Sequence, residues 1–166
     1  MKLQNPFSVR QEQEIPAEFL DLISDILSNP EFLTLDSYSH HPGASRLVHS
    51  MNVSYLAWKM AKRRGYDERA AARIGLLHDF CPYDFEDRTP TGEHQAFYHP
   101  KAAAWYSREY FHISEEEESA ILTHMFPIGP LPRNRLAWII TLADKQASIL
   151  EVCGVTVVPR YGISLT

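Results

Sequence analysis

The sequence predicts an all-α fold in a single domain, and three observations carry that expectation. Apolar residues recur at helical spacing in about six stretches, the segments between them are rich in Pro, Gly, Asn and Asp, and no strand pattern alternates with the helical one. The chain has 166 residues, a length that suits one compact domain over 1–166 and buries roughly 70% of the extended chain's surface on folding. No disulfide staple is needed at that size.

Phe19, Leu20, Ile23, Ile26 and Leu27 share one face of a helix over 16–28, and Asn29-Pro30 stops it. Residues 33–43, with Tyr38, His40, His41 and Pro42, read as a loop. Ser45 is an N-cap for a second helix to Arg64, where Gly65 supplies a C-terminal stop. Asp67 caps a third helix that ends near Asp79. The turn formers between Phe80 and Tyr98 predict a functional loop or lid. A fourth helix is expected from His99 to Phe111, with Pro100 at its first position, where the missing N–H costs nothing. Ser114-Glu115-Glu116-Glu117 is a capping box opening a fifth helix to His124, its glutamates a solvated first turn. Three prolines and a glycine make 126–132 a loop, and a last helix runs from Arg133 to Glu151. The tail, 153–166, is β-branched and reads as an edge hairpin or an interface arm.

Hydrophobic residues make up 45% and charged residues 22%, an ordinary globular balance, and the net charge is −5. That balance argues against a dedicated nucleic-acid binder, which would carry a basic stripe. Two unpatterned cysteines, Cys81 and Cys153, point to a reducing compartment. With no apolar signal core and no long apolar run, the expectation is a cytoplasmic chain without a membrane span.

Eight histidines are the compositional oddity, and their placement is informative. His49 falls on the apolar face with Val53, Leu56 and Met60. His78 and Asp79 close the third helix, His99 opens the fourth, His124 closes the fifth, and Asp144 lies within the last beside Ile140 and Ala147. One such histidine is usually a core residue with a hydrogen-bond partner. Six groups on five helices are harder to satisfy separately, because each buried carboxylate needs a cation and few basic residues are placed to provide one. A divalent ion satisfies all six together. Imidazole with carboxylate suits iron, manganese, zinc or nickel better than the all-oxygen cations. Neighbours at a helix end project differently, so His78 can ligate terminally while Asp79 bridges two ions.

The ordered set His49, His78-Asp79 and Asp144, with the strings Gly75-Leu76-Leu77-His78-Asp79 and Leu142-Ala143-Asp144-Lys145, resembles the HD-domain superfamily of metal-dependent phosphohydrolases. The resemblance covers about residues 40–152. His99 and His124, between the pair and the last Asp, make it similar to the two-metal branch. The strings around Asp79-Phe80-Cys81-Pro82, Phe97-Tyr98-His99-Pro100 and Thr123-His124-Met125-Phe126-Pro127 resemble a group of small bacterial HD proteins. A single histidine stands at 124, where some two-metal relatives carry two adjacent ones. The resemblance implies a first ion on His49, His78, Asp79 and Asp144, and a second on His99 and His124 with Asp79 bridging. It implies one or two divalent ions, iron or manganese first, with zinc, nickel or magnesium as alternatives. The implied reaction is hydrolysis of a phosphate ester or anhydride of a nucleotide-like small molecule by an ion-activated hydroxide, so no Ser or Cys nucleophile is required.

Around that set, Asp79, Lys145 and His94 are the candidate catalytic residues, and Arg46, Lys145 and Arg133 the candidate phosphate contacts. Each has a plainer reading. Lys145 pairs with a carboxylate of a neighbouring helix, His94 is an exposed loop residue, Arg46 pairs with Asp84, and Arg133 with Arg135 lies at the surface. Cys81 packs, and Trp58, Trp105 and Trp138 sit at core spacings. Alternatives to the leading function are a dinucleoside polyphosphate hydrolase, an ion-retaining regulatory or ligand-binding module, and a di-iron oxygenase, which anaerobic loss of activity would reveal. A homodimer is left open.

Overall fold

The computed structural model describes residues 14–41, 44–155, 157 and 158. Among them the order is α1 (Ala17–Leu27), α2 (Pro30–Leu33), a 3-10 turn (Thr34–Ser37), β1 (Ser39–His41), β2 (Ala44–Ser45), α3 (Arg46–Arg64), α4 (Glu68–Leu77), α5 (Gln95–Phe111), α6 (Glu115–Thr123) and α7 (Arg135–Val152). The fold is all-α, with one short antiparallel pair in which Ser39 faces Ser45 and His41 faces Ala44.

The helix starts are locally encoded. Ser45, Asp67 and Asn134 each accept a backbone N–H from the third residue onward, from Val48, Ala70 and Ala137. Ser114 and Glu117 form the reciprocal capping box. Gly65 ends α3 at φ +64°, a left-handed backbone that a Cβ would strain. Asn29 does more than stop α1: its side chain caps α2, and Pro30 occupies the first position of that helix.

The three-residue connection after α3 folds α4 back onto it. The two helices approach so closely that a Cβ on Gly75 would lie 2.7 Å from the Ser54 Cα, and the Ser54 hydroxyl donates to the Ala72 carbonyl across the same crossing at 2.6 Å. α7 packs against α3, α4 and α6, and α5 against α6. The core between them holds Val53, Ile74, Leu77, Ile121 and Ile140, all fully buried. Phe80, directly after the His78-Asp79 pair, is buried among Phe32, Tyr106 and Phe111. That aromatic anchor fixes the corner at which the pair sits.

Three expectations are corrected. Helix α5 begins at Gln95, so Pro100 is its sixth residue rather than its first. His94 provides the earlier start by accepting the Ala96 N–H on its ring nitrogen, and the helix forgoes the bond Pro100 cannot donate. Of the tryptophans only Trp58 belongs to the core; Trp105 is 57% and Trp138 40% exposed. Helical spacing places a residue on a face, but among the described residues no further element covers these faces. Trp105 rests instead on Tyr106 and Trp138 on Phe126. Third, 33–43 contains a 3-10 turn and β1 rather than loop alone. The tail reading lies largely outside the described residues. No helix among the described residues is long and apolar enough to cross a membrane.

Candidate metal centre

Five helices deliver the six polar residues to one place. His49 lies one turn into α3, His78 caps the C-terminus of α4, Asp79 follows it, His99 is in the second turn of α5, His124 caps α6, and Asp144 is at mid-α7. All six are buried, Asp144 being the most accessible at 7%. Two unpartnered carboxylates could not be held there, since an isolated buried charge costs several kcal/mol.

The ligand atoms fall into two groups, His49–His78–Asp79 and Asp79–His99–His124, each with its atoms within 4.8 Å of one another and with Asp79 in both. Asp144 completes the first: its Oδ1 lies 3.2 Å from His49 Nε2 and 3.8 Å from His78 Nε2. Asp79 turns Oδ2 toward His78 Nε2 at 3.7 Å, and Oδ1 toward His99 and His124 Nε2 at 3.3 and 3.5 Å.

Hydrogen bonding on the far side of each ring sets which nitrogen faces inward. The Nδ1–H groups of His78, His99 and His124 donate to the carbonyls of Gly75, Gln95 and Ile121 at 2.8, 2.8 and 2.7 Å. A carbonyl only accepts, so Nδ1 carries the proton and a neutral ring presents its Nε2 lone pair to the centre. In their neutral forms His99 and His124 point two lone pairs at each other across 3.0 Å. The buried Nε2 of His78 makes no hydrogen bond at all among the described residues. Repelling lone pairs and an unpaired buried nitrogen beside a carboxylate are both relieved by a cation, and the donor set of imidazoles with carboxylates fits a divalent metal.

The histidines of the centre titrate differently: against desolvation, the hydrogen bond to Asp79 raises His124 above the usual imidazole value. Burial pulls the pKa values of His78 and His99 down to about 4, overriding Asp79. Burial also opposes charge on Asp79 and Asp144, yet the surrounding histidines outweigh it and hold both below the usual carboxylate range. His49 goes the other way. Against desolvation, hydrogen bonds to Asp144 and Glu151 raise it from 6.5 to about 9. A raised pKa contributes stability to the ion-free protein that is fully present below pH 6.5 and is lost as pH rises through about 9. Ion binding must displace that proton, so affinity for a divalent ion should climb between those pH values, by up to about tenfold per unit for one proton. Mn2+ titrations across the window test this, and a pH-independent affinity would contradict a protonated His49.

The remaining candidates are placed as follows. Lys145 Nζ donates to Asp144 Oδ2 at 2.8 Å and to the His124 carbonyl at 3.1 Å, so its carboxylate partner is on its own helix. Arg46 does not pair with Asp84 among the described residues. It is fully buried, donates to the carbonyls of Cys81 and Tyr83, and lies 3.6 Å over the Phe85 ring. Phe85 in turn packs on His99, with ring centroids 5.1 Å apart. His94 is exposed and is the α5 cap, and Arg133 is exposed ahead of α7. Cys81 is a buried free thiol, its pKa pushed well up by desolvation, and its Sγ–H donates to the His99 carbonyl.

Sequence reasoning missed Glu151 and Asn52. Glu151 oxygens lie 3.0 and 3.1 Å from His49 Nδ1, and Asn52 Nδ2 donates to Glu151 Oε1 at 2.8 Å. A signal existed: Glu151 follows Asp144 by two helical turns and Asn52 follows His49 by one, so each shares its ligand's face.

Comparison with known proteins identifies the family. The HD domain profile matches residues 46–148. A ribonuclease Y of Lactobacillus acidophilus is 46% identical over 54 residues, which is 31% of this chain and 10% of that protein. The match therefore spans only about a tenth of the relative's length. With the profile running from the start of α3 nearly to the end of α7, across the ordered His, His-Asp and Asp positions, the chain belongs to the HD domain family of metal-dependent phosphohydrolases.

Proposed function

We propose that this protein hydrolyses a phosphate ester or anhydride of a nucleotide-like small molecule at a two-ion centre. The observation that carries the reading is Asp79, which belongs to both ligand groups and turns one oxygen toward each. His49, His78, Asp79 and Asp144 would hold one ion, and Asp79, His99 and His124 the other. Divalent ions, when bound, supply Lewis acidity toward phosphoryl oxygens and lower the pKa of water. The donor set suits iron, manganese, zinc or nickel, and the family resemblance puts iron or manganese first.

The chain's own residues shape the rest. The Nδ1 bonds of the histidines hold their Nε2 atoms inward without reorganisation, the condition for electrostatic preorganisation. Lys145 is anchored on Asp144, with two-fifths of its side chain open. We assign it contact with a substrate phosphoryl group. His94 uses Nδ1 for the cap; in this reading its Nε2 protonates the leaving group, and Arg133 meets a distal phosphate. Arg46 contacts phosphate only if Phe85 moves aside; its bonds to 81 and 83 suit holding the loop instead.

A ribonuclease among the relatives makes RNA a necessary comparison substrate. The net charge of −5 favours small phosphates over a long polyanion. Metal analysis with a screen of nucleotides, dinucleoside polyphosphates, simple phosphoesters and short RNA, in Fe2+, Mn2+ and other ions with and without oxygen, tests the reading. The expected result is about one to two ions per chain and hydrolysis of a small phosphate. Full activity after complete chelation overturns it. His99→Ala is expected to weaken one of the two ions selectively, by about 10-fold or more, in equilibrium Mn2+ titration. Equal weakening of both overturns the division between sites.

A further inference from the structure

The three histidines of α4, α5 and α6 and the one of α3 are oriented by different kinds of partner. His78, His99 and His124 each give Nδ1–H to a neutral backbone carbonyl within their own helical turn. Among the described residues His49 is the one of the four whose outer nitrogen meets a carboxylate, that of Glu151, whose side chain is 6% exposed and which straddles Nδ1 with both oxygens. Glu151 is itself oriented. Asn52, 3% exposed and one turn after His49, donates to its Oε1. Asn52 is fixed at its other end, because its Oδ1 accepts the backbone N–H of Val158 at 3.2 Å. The chain leaves α7 through Gly154, at φ +69°, and so returns to α3 within four residues of the turn.

We infer that Glu151, oriented by Asn52, is a positioning residue that makes the ion site of His49 and Asp144 the tighter of the two. A carboxylate on the outer nitrogen fixes ring rotation and draws the Nδ1 proton toward itself, which raises electron density at Nε2 and strengthens it as a donor. A backbone carbonyl does the first as well but the second more weakly, because it carries no net charge. On their outer nitrogens His99 and His124 have carbonyl partners among the described residues, so their ion is held by weaker imidazole donors. Glu151 also adds negative charge beside the site, which favours a dication there independently of ring orientation. The two ion positions are therefore unequal by construction, with the first filled at concentrations that leave the second exchanging.

This inference rests on the two-ion reading above, and one set of titrations separates their failures. Mn2+ binding is followed by electron paramagnetic resonance of the free ion in wild type, Glu151→Gln, Asn52→Ala, and the same substitutions combined with His99→Ala, with circular dichroism melts confirming folding. Glu151→Gln keeps the shape and removes the charge. It is expected to weaken the tighter binding step by about 10- to 100-fold and leave the weaker step within about twofold. Asn52→Ala, which leaves the carboxylate in place but removes one of its partners, is expected to weaken the same step by a smaller factor, and serves if Glu151→Gln does not fold. Unchanged tight binding in both variants, or equal weakening of both steps, overturns the role of Glu151 while leaving two ions in place. A wild-type chain that takes up no Mn2+ overturns the two-ion reading and the inference with it.

Discussion

Asp79→Ala is expected to release both ions and to lower phosphatase turnover by about a thousandfold or more, and His78→Ala to do the same through the first ion. The reasoning is geometric. Asp79 is the one residue common to both ligand groups, with Oδ1 within 3.5 Å of His99 and His124 and Oδ2 3.7 Å from His78. Alanine leaves His99 and His124 with no carboxylate and the first group with Asp144 alone, so the second ion loses its only anionic ligand among the described residues and the first loses one of two. Loss of several kcal/mol of transition-state charge stabilisation corresponds to about 10^3-fold in rate. His78→Ala removes an Nε2 that has no hydrogen bond among the described residues, and with it the Nδ1–H bond to the Gly75 carbonyl, so folding is checked by circular dichroism. Metal content and turnover are to be measured on the same preparations. Wild-type turnover in either variant removes the site assignment, and lost turnover with full ion content moves the role from ligation to some other step.

Gly75→Ala is expected to have the largest effect on stability of any methyl-sized change among the described glycines. The added Cβ would meet the Ser54 Cα at 2.7 Å, the Ser54 nitrogen at 3.0 Å and the Val53 carbonyl at 3.1 Å. These are backbone atoms, so no rotamer change relieves the clash and α4 must move away from α3. Alanine gains about 1 kcal/mol in helix propensity, but overpacking against a rigid neighbour costs about 1–3 kcal/mol and the displaced helices lose contact besides. The net expectation is about 2 kcal/mol of destabilisation, a fall in Tm of about 4–8 °C at this chain length. The Gly75 carbonyl also receives the His78 Nδ1 proton, so ion affinity should fall together with Tm. An unchanged melting curve would mean the helices separate more freely than their packing suggests.

Much of the local structure was legible in advance because it is written in short-range chemistry. Ser45, Asp67 and the Ser114–Glu117 box were recognisable as caps, since an N-cap needs only a side chain within reach of the next three N–H groups. The start of α5 was misjudged for a related reason. Histidine is an uncommon cap, and a proline six residues beyond it is a more familiar start signal than His94 itself. Trp105 and Trp138 were misjudged differently: periodicity assigns a face to a helix, but not the element that covers it.

The candidate centre divides along the same line. Sequence alone determined that six ligand-type side chains stand on core faces or close core helices, and that their order matches the HD domain family, because helical periodicity and burial cost act within a segment. Only the tertiary structure decided who faces whom. It placed Asp79 between two groups of imidazoles, enclosed Arg46 under Phe85 rather than beside Asp84, and brought Glu151 onto His49 from a residue 102 positions away. Such pairings depend on how α3, α4 and α7 cross, and a crossing is set by the packing of two whole faces, which no single helix carries in its own pattern.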